Sequence, residues 1–468
     1  MALIGVMAGV VAAGRREWED AKPVRPVTAE RVGGARDIDN PVTADDPDET
    51  DGAAAEIRRG NALIQADNLG LVKYLTRSGM AGKFQLIYID PPFFSGSDYG
   101  AEIKFAPKTG EIAPAFRQIA YRDSWKDGLD GYLRMLTARF FGFRELLSET
   151  GCFWVHLDWH AAHYVRVILD EVFGAENFVN EVIWNYKSGG VSRRRFARKH
   201  DTLLFYGKTP DYYFKAQSEK SYNRGYRRYR FKGVEEYRDE LGWYTMVNMK
   251  DVWRINMVGR TSAERTGYAT QKPEALLARI VESCTREGEL CADFFGGSGT
   301  LAAAAEKVGR RWLSCDSGRF AVAKARRRLT EAGACFSVMA DAARRTPSGR
   351  FRAAYSCGAA PGSAAEAAVV ELAGYAFPAG ETLPVEEKYR DALEKALLDD
   401  SMRFVDYWSV DFHYDGVIYR PEEFRVNRKS AGDFVCRKIG RRFAMIAVSV
   451  TDIFGVSSLR VFERPLRL

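Results

Sequence analysis

Short apolar strands alternate with amphipathic helices through the middle of the chain. The strand predicted at 84–89 is followed by a helix at 129–147, and the strand at 152–157 is followed by a helix at 161–173. Because strands that are joined through a helix run parallel, this order predicts a parallel sheet with helices on both faces. The alternation breaks down between 187 and 262 and then resumes, which indicates an insert within one α/β domain.

These patterns divide the 468 residues into six segments. The first is predicted to be poorly ordered, because residues 37–51 carry seven acids, no Lys or Arg, and no apolar periodicity. The predicted segments are a poorly ordered leader at 1–60, two halves of the α/β domain at 61–207 and 263–335, an insert at 208–262, a linker at 336–366 and a small α+β domain at 367–468.

The composition is typical of a soluble globular protein. Hydrophobic residues make up 46% and charged residues 28% of the chain, which argues against bulk disorder and collagen-like repeats. The seven cysteines form no CxxC pair, and this suits a reducing cytosol rather than a disulfide framework or a zinc ribbon. The apolar N-terminal run of 14 residues is too short to span a bilayer, so we expect a cytoplasmic protein without a membrane anchor.

A metal site is the alternative that the histidines leave open. His156 and His160 have the spacing of two ligands on one helix face, and His163 is near them. However, His156 ends a predicted strand, and neither an acidic nor a cysteine cluster accompanies the three. We therefore expect no metal.

A glycine-rich turn follows the strand that is predicted to end at Asp293. Glycines allow a tight turn and a close approach of the backbone to a ligand, and Gly297, Gly299 and Ala302 fit the dinucleotide pattern G-x-G-x-x-A. Asp316 ends the next predicted strand, where it can accept hydrogen bonds from ribose hydroxyls. A tight turn without a ligand is the alternative, but the strand–turn–helix–strand–acid order favours a nucleotide-like ligand.

A second turn, Asp90, Pro91, Pro92 and Phe93, follows the apolar strand at 84–89. The prolines stiffen the turn and donate no hydrogen bonds, so the turn presents acceptors. The Asp90 carboxylate and a proline carbonyl can both face one exocyclic amine, and Phe93 offers a stacking plane. The alternative is a strand-ending turn with a helix-capping Asp.

The two turns in this order resemble those of the β-class amino methyltransferases of DNA, in which the catalytic half precedes the cofactor half. The chain is similar above all to the modification subunits of type III restriction systems and their solitary relatives. The resemblance covers about residues 61–335 and includes Asp67-Asn68, Tyr121 to Trp125, Val155 to His160, Arg195 to Asp201 and Gln271 to Pro273. It implies a circularly permuted, Rossmann-like methyltransferase fold.

The resemblance also implies an activity and the residues that serve it. The methyl donor would be S-adenosyl-L-methionine, and the acceptor would be the exocyclic N6 amine of an adenine flipped out of double-stranded DNA. Asp in the first position of the proline turn favours adenine over cytosine. The implied catalytic residues are Asp90, Pro91, Pro92 and Phe93. The implied cofactor-binding residues are Asp67, Lys272, Pro273, Asp293, Phe294, Phe295, Gly296, Gly297, Ser298, Gly299, Thr300 and Asp316.

Positive charge is concentrated beside the insert. The chain has a net charge of +7, yet residues 186–232 contain 14 Lys and Arg against three acids, with 11 aromatics interleaved. Basic residues neutralise phosphates, and aromatics stack on displaced bases or fill a small core. A solvated charged face is the alternative. The candidate DNA contacts are Arg193, Arg194, Arg195, Lys199, Arg227, Arg228 and Arg230.

Other functions remain open at this stage. Cytosine N4, an RNA or a protein amide could replace adenine as the acceptor, whereas the absence of any Pro-Cys dipeptide argues against methylation of a ring carbon. The chain could also serve as the modification and specificity subunit of a type III complex. It has no G-x-x-x-x-G-K-[ST] motif, so a restriction subunit with ATPase activity would be a separate partner. A second copy of the chain is the other partner considered.

Overall fold

The computed structural model describes residues 2–33, 51–104, 115–230, 232–343, 348–359, 366–427, 434–440 and 443–463. The helices of these ranges are α1 (Ala2–Asp20), α2 (Gly52–Arg59), α3 (Asn68–Arg77), α4 (Gly128–Leu146), α5 (Ala162–Phe173), α6 (Glu274–Cys284), α7 (Thr300–Lys307), α8 (Arg319–Glu331) and α9 (Arg390–Asp399). The strands are β1 (Pro26–Val32), β2 (Ala62–Gln65), β3 (Phe84–Ile89), β4 (Asp98–Lys104), β5 (Ala115–Arg122), β6 (Leu147–Leu157), β7 (Phe178–Asn185), β8 (His200–Gly207), β9 (Ser218–Tyr222), β10 (Glu236–Arg238), β11 (Trp243–Asn248), β12 (Val252–Arg254), β13 (Leu290–Asp293), β14 (Arg311–Asp316), β15 (Phe336–Asp341), β16 (Arg350–Ala359), β17 (Glu366–Ala376), β18 (Val405–Asp411), β19 (Glu423–Val426), β20 (Val435–Gly440), β21 (Met445–Asp452) and β22 (Ser457–Glu463).

A ten-stranded sheet organises the fold, in the order β1-β15-β2-β14-β13-β3-β6-β8-β7-β12. The six strands from β15 to β6 are parallel, and β8 runs antiparallel between β6 and β7. The late strands β13 and β14 lie between the early strands β2 and β3. This is the predicted Rossmann-like order in permuted form, and the fold class is confirmed.

Helices cover both faces of this sheet, because its central strands are apolar on both sides. Every residue of β3 is buried, for example. Helices α1, α3, α4 and α5 contribute to the core on one face, and α6, α7 and α8 to the core on the other. The connections from β13 and from β3 lead to opposite sides of the sheet, and this opens a crevice at the carboxyl ends of these two strands.

The prediction of a poorly ordered leader at 1–60 is wrong for its described residues. The apolar run forms α1, which buries Met7 and Val10 in the core, while the Trp18 indole donates to Glu145 Oε1 at 2.9 Å. Strand β1 pairs with β15 at the edge of the sheet. An isolated apolar run does not reveal its partner helix, which is why the sequence pattern missed this packing. Most of the acidic stretch, at 34–50, lies outside the described residues.

The prediction of a linker at 336–366 is also wrong for its described residues, 336–343, 348–359 and 366. Its first residues form β15, which is hydrogen-bonded between β1 and β2 in the central sheet. Further residues form β16, which pairs with β17. The small residues of this segment therefore belong to strands, whose pairing with distant strands is decided in three dimensions.

The C-terminal unit, from β16 to β22 with α9, contains two sheets, in the orders β16-β17-β20 and β19-β18-β21-β22. Its core includes Phe116 from strand β5. It also contacts α8, where Lys324 binds Asp406 Oδ2 at 2.8 Å. The unit therefore begins before the predicted boundary at 367 and packs against both halves of the α/β domain.

The predicted insert at 208–262 is only partly separate. Strands β9, β10 and β11 form a three-stranded sheet of their own, here called the insert sheet. Strand β12, however, lies parallel to β7 at the far edge of the central sheet. The separate part of the insert therefore ends before β12, and not at the predicted residue 262. The sequence pattern did not indicate β12 because this strand is only three residues long.

Candidate active site

A cavity of about 310 Å³ lies at the carboxyl ends of the central strands. It brings together residues from both predicted halves, which the chain separates by about two hundred positions. The predicted site residues that line it are Asp67, Asp90, Pro92, Lys272, Asp293, Phe294, Phe295, Gly296, Gly297, Ser298, Thr300 and Asp316. Pro91, Phe93, Pro273 and Gly299 are not part of the lining.

The glycine turn, residues 294–299, connects β13 to α7 with its backbone close to the neighbouring strand. The Gly296 N–H donates to the carbonyl of Cys315 at 2.8 Å, and a Cβ atom at Gly296 would lie 2.2 Å from Ser314 Oγ. Gly299 has a φ of 73° at the start of α7, a left-handed conformation that favours glycine. At Gly296 and Gly297 the turn therefore presents its backbone to the cavity.

Asp316 is held by two backbone donors. Its Oδ2 accepts from the Gly297 N–H at 2.9 Å, and its Oδ1 accepts from the Gly318 N–H at 2.7 Å. The carboxylate is thus fixed at the end of β14, directly beside the glycine turn. Sequence reasoning placed it there from the strand pattern alone.

Asp293 is the most deeply buried acid of the cavity, with an exposed fraction of 4%. Burial raises the pKa of its carboxyl well above the usual range; the hydrogen bond from the Phe295 N–H opposes this, and the negative charges of Asp90 and Asp316 reinforce it. The neutral form is consequently favoured in the ligand-free protein. A positively charged ligand would reverse that preference.

A polar cluster closes the cavity beside α3. Asp67 caps α3, accepting from the Gly70 N–H at 3.0 Å, and its other oxygen lies 3.3 Å from Arg139 Nη2. Arg139 Nε also donates to Asn68 Oδ1 at 2.5 Å, and Asn68 donates to the carbonyl of Phe294 at 2.8 Å. Arg139 therefore links the predicted Asp67 to Asn68, and the sequence did not reveal this role of Arg139.

Asp90 lies at the end of β3 and bridges the two halves of the site. Its Oδ2 accepts a hydrogen bond from the ammonium group of Lys272, while its Oδ1 is buried and has no hydrogen-bond partner among the described residues. A buried acceptor without a donor is costly. An acceptor of this kind is expected in a ligand-free site when the ligand supplies the missing hydrogen-bond donor.

The proline turn, residues 90–95, is stiffened from outside the cavity. The Tyr132 hydroxyl donates to the carbonyl of Pro92 at 2.7 Å. Asp123 accepts from the backbone N–H groups of Phe94 at 3.0 Å and Ser95 at 2.6 Å, and Phe94 has a φ of 62°. These bonds hold a non-glycine residue in a left-handed conformation, so the turn is preorganised.

His156 belongs to a buried hydrogen-bond network. Its Nδ1 lies 3.0 Å from the Tyr88 hydroxyl and its Nε2 lies 3.1 Å from Asp201 Oδ2. Its ring is 5.7 Å from the ring of Phe93. Burial alone would raise the pKa of Asp201, but the hydrogen bond and charge of His156 together with the charge of Lys272 hold it below the usual value. The network fixes the ring of His156, which packs against the ring of Phe93 and helps to position it.

Three tyrosines that sequence reasoning did not assign line the cavity, namely Tyr88, which bonds His156, and Tyr121 and Tyr268. Tyr121 was noted only as part of a family-like stretch, and its hydroxyl lies 3.5 Å from Thr270 Oγ1. Tyr268 stacks on Phe320 and sits next to Gly297. Burial raises the pKa of the Tyr121 and Tyr268 phenols, so they remain neutral hydrogen-bonding groups. Tyr268 carries no local signal, since its role comes only from packing.

The predicted DNA contacts fall on two separate structures. Arg193, Arg194 and Arg195 are exposed on the loop at 186–199 between β7 and β8, here called the basic loop. Because β7 runs parallel to β3 and β13, this loop lies at the same edge of the sheet as the cavity. The ammonium of Lys199 donates to the carbonyls of Ser188, Gly189 and Gly190, so it holds the loop together.

Arg227, Arg228 and Arg230 are exposed beside the insert sheet. The guanidinium of Arg228 stacks on Trp243. The base of this sheet is anchored at the opposite edge of the central sheet, where Gln217 Nε2 donates to Ser283 Oγ at 2.8 Å near the end of α6. The arginines of the basic loop and those beside the insert sheet belong to one basic stretch of the sequence. In the fold they lie on two separate surfaces.

The described residues contain no group of three or more His, Cys, Asp or Glu side chains that could hold a metal ion. None of the helices in the described ranges has the length and apolar character needed to cross a membrane.

Comparison with known proteins places the chain in a family. The family model described as DNA methylase matches residues 84–327. The type II methyltransferase M.ScaI of Streptomyces caespitosus is 34% identical over 260 residues, which are 53% of this chain and 74% of the relative. The type II methyltransferase M2.LlaDCHI of Lactococcus lactis subsp. cremoris is 25% identical over 284 residues, 59% of this chain and 91% of the relative.

A similarity to type III systems is also present. The EcoP15I Mod subunit of Escherichia coli, a type III restriction-modification enzyme, is 27% identical over 158 residues, which are 32% of this chain and 24% of the relative. The resemblance drawn from the two turns is thus confirmed, with type II and type III methylating proteins both among the relatives. This chain belongs to the DNA methylase family.

Proposed function

We propose that the chain transfers a methyl group from S-adenosyl-L-methionine to the exocyclic N6 amine of an adenine in double-stranded DNA. The observation that carries the proposal is Asp90 Oδ1, a buried acceptor without a partner at the edge of a cavity that also contains the glycine turn. Membership of the DNA methylase family supports the reaction class.

The shape of the cavity fits this cofactor. The backbone of Gly296 and Gly297 lies at the wall, and a side chain at Gly297 would meet the ring of Tyr268 at 3.2 Å. Asp316 ends the neighbouring strand, where its carboxylate can accept hydrogen bonds from ribose hydroxyls. Asp67 and Asn68 would face the adenine part of the cofactor. The assignments of Asp316 and Asp67 are those that the family resemblance implied, and Asn68 is added because it lines the same cavity.

The charge of the cavity fits it as well. Four acidic side chains line the cavity, those of Asp67, Asp90, Asp293 and Asp316, against the two basic side chains Arg139 and Lys272, and the other three acids still outnumber the bases when Asp293 is neutral. A ligand with an ammonium and a sulfonium group suits such a surplus of negative charge. When bound, the cofactor supplies a methyl group on a sulfonium sulfur, which is already activated for transfer.

The chain's own residues then activate the acceptor. Asp90 Oδ1 and the carbonyl of Pro91 accept the two hydrogens of the amine, which counteracts the delocalisation of its lone pair into the ring. The carbonyl of Pro92 is engaged by Tyr132, and the choice of Pro91 as the second acceptor follows the family resemblance. Phe93 stacks on the base. As the new N–C bond forms, the bond from the methyl group to sulfur breaks. The amine then releases one proton to solvent through its hydrogen bond to Asp90 Oδ1, and the remaining catalysis is positioning.

Adenine is proposed over cytosine because the proline turn begins with Asp. The family includes proteins that methylate either adenine N6 or cytosine N4, so the target base is the point that needs a direct measurement. The target must leave the duplex, since its amine is enclosed in the base stack.

The test is mass spectrometry of nucleosides from unmethylated plasmid DNA after incubation with the purified protein and S-adenosyl-L-methionine. We expect N6-methyldeoxyadenosine, and none when the cofactor is omitted. N4-methyldeoxycytidine would overturn the choice of adenine but keep the reaction class. A product methylated on a ring carbon, or no methylated base at all, would overturn the proposed function.

A further inference from the structure

The basic loop is a fixed projection rather than a tether. At its base the Tyr186 N–H donates to the carbonyl of Lys199 at 3.1 Å, and Asn185 Nδ2 donates to the same carbonyl at 3.0 Å. The ammonium of Lys199 binds three carbonyls across the loop. The guanidinium of Arg198 lies 3.5 Å from the ring centre of Trp159. The tip, at about 189–197, extends from this base.

The tip presents two apolar side chains to solvent. Phe196 is 99% exposed and Val191 is 97% exposed, the two highest values among the exposed large hydrophobic residues of the described ranges. The aromatic rings of the insert sheet differ in this respect, as Tyr226 is 57% exposed. A phenylalanine that touches nothing in the free protein gains a large apolar burial when a partner covers it.

The charges around Phe196 indicate the kind of partner. Between residues 187 and 199 the chain has six basic residues and no acid. Arg193, Arg194 and Arg195 directly precede Phe196, and Arg198 follows two positions later. The complementary partner is therefore anionic outside and apolar inside. A nucleic acid duplex has this combination, with phosphates on its surface and stacked bases within.

The base of the loop is connected to the proline turn by three side chains. The Tyr186 hydroxyl donates to Asp201 Oδ1 at 3.0 Å, Asp201 contacts His156, and the ring of His156 lies 5.7 Å from that of Phe93. The base of the loop is therefore linked through Tyr186, Asp201 and His156 to Phe93, the ring proposed to stack on the flipped base.

We propose that Phe196 enters the base stack of the duplex and fills the space that the target base leaves when it flips. The inference rests on the proposed function. Removing a base from the stack loses stacking energy, and an apolar ring in its place recovers part of that energy. The preceding arginines would hold the phosphates on either side, so that the ring enters at a defined position.

The test compares Phe196→Ala and Phe196→Trp with the wild-type protein, and uses Phe214→Ala as the matched control. Phe214 is 50% exposed and lies near the opposite edge of the central sheet, beside Gln217. The substrate is a synthetic duplex that carries the methylated sequence mapped in plasmid DNA. A second duplex has an abasic site opposite the target adenine, which makes flipping easy. Single-turnover methylation is measured on both, and 2-aminopurine at the target position reports flipping by its fluorescence.

We expect Phe196→Ala to methylate the paired duplex about tenfold more slowly or worse, with a smaller 2-aminopurine signal. Phe196→Trp should remain close to wild type, and the abasic partner should restore Phe196→Ala. Equal rates for Phe196→Ala and wild type on the paired duplex would overturn the inference while leaving the proposed function intact. Failure of Phe196→Ala on both duplexes would also overturn it. A wild-type protein that methylates neither duplex nor plasmid would instead overturn the proposed function, and this inference with it.

Discussion

Lys272, just before α6, binds Oδ2 of Asp90, at the end of β3, although 182 positions separate the two residues. The ammonium of Lys272 also lies 5.0 Å from the ring centre of Phe93. One side chain of the cofactor half therefore orients both the acid and the ring of the proline turn. Because Oδ2 is occupied, the acceptor that remains for an amine is Oδ1.

Replacing Asp90 should separate binding from chemistry. Asp90→Ala removes the acceptor for the amine but leaves the glycine turn, Asp293 and Asp316 in place. We expect cofactor binding, measured by calorimetry, to change less than tenfold, and methylation to fall by at least about a hundredfold, the range of a lost acid–base or hydrogen-bonding group. Methylation at the wild-type rate would remove Asp90 from the proposed mechanism.

The pH dependence of cofactor binding should report Asp293. Its raised pKa means that the ligand-free protein holds a proton there, and a cationic ligand favours the ionised form, so binding releases that proton. By linkage, affinity rises with pH over the range in which this carboxyl is protonated in the ligand-free protein, by at most tenfold per unit. Calorimetry in two buffers of different ionisation enthalpy measures the number of protons that are released when the cofactor binds. An equal proton count for Asp293→Asn and wild type would contradict this assignment.

Gly296→Ala should strain the glycine turn through a clash with Ser314, and removal of the Ser314 hydroxyl should relieve that clash. The added methyl would lie 2.2 Å from Ser314 Oγ, so we expect destabilisation of about 1–3 kcal/mol, the usual range for an overpacked site. Cofactor affinity should fall as well. The double variant with Ser314→Ala removes the clashing oxygen and should recover part of the loss, as judged from denaturation midpoints. Simple additivity of the two changes would show that the contact is not the cause.

The two basic groups should differ in their effect on DNA. The triple replacement of Arg193, Arg194 and Arg195 by Ala should weaken duplex binding and slow single-turnover methylation, because the basic loop lies at the cavity edge. The triple replacement of Arg227, Arg228 and Arg230 should weaken binding alone. Each lost phosphate contact should reduce the slope of log K against log salt by about 0.9.

The exposed Arg437, replaced by Ala, is the control for these variants, because it lies on β20 of the C-terminal unit. Its slope should match that of the wild type. Slopes unchanged by either triple replacement would show that neither group contacts phosphates.

Asp452 should make stability depend on pH. Burial raises the pKa of this carboxyl to about 7, against the lowering effect of hydrogen bonds from Val456, Tyr375 and Phe454. The unfolded value is about 4, so its contribution is fully present below about pH 4 and is lost as pH rises to 7. The loss is at most about 4 kcal/mol. Asp452→Asn should make the denaturation midpoint depend less on pH between about 4.5 and 7.5 than it does in the wild type. Parallel plots of midpoint against pH for the two proteins would contradict this assignment.

Much of the site could be predicted from the sequence, because its motifs are local. Gly297 and Gly299 mark a turn that only glycine adopts readily, and Asp90 and Asp316 end apolar strands. Parallel strands place their carboxyl ends at one edge, which is the physical reason why the two turns lie together in the fold, as the family resemblance implied. Arg139 and Tyr268 could not be found in this way, since neither belongs to a local motif and both reach the cavity only through packing.

The sequence by itself determined the α/β class, the permuted order of the two halves and the identity of the two turns, because these depend on periodicity and on backbone preferences of Gly and Pro. The tertiary structure alone decided that α1 and β15 belong to the main domain, that the basic stretch divides into two surfaces, and that Lys272 binds Asp90. These depend on pairings between distant residues. Such pairings follow from complementary shape, burial and charge in the folded chain, which no local pattern records.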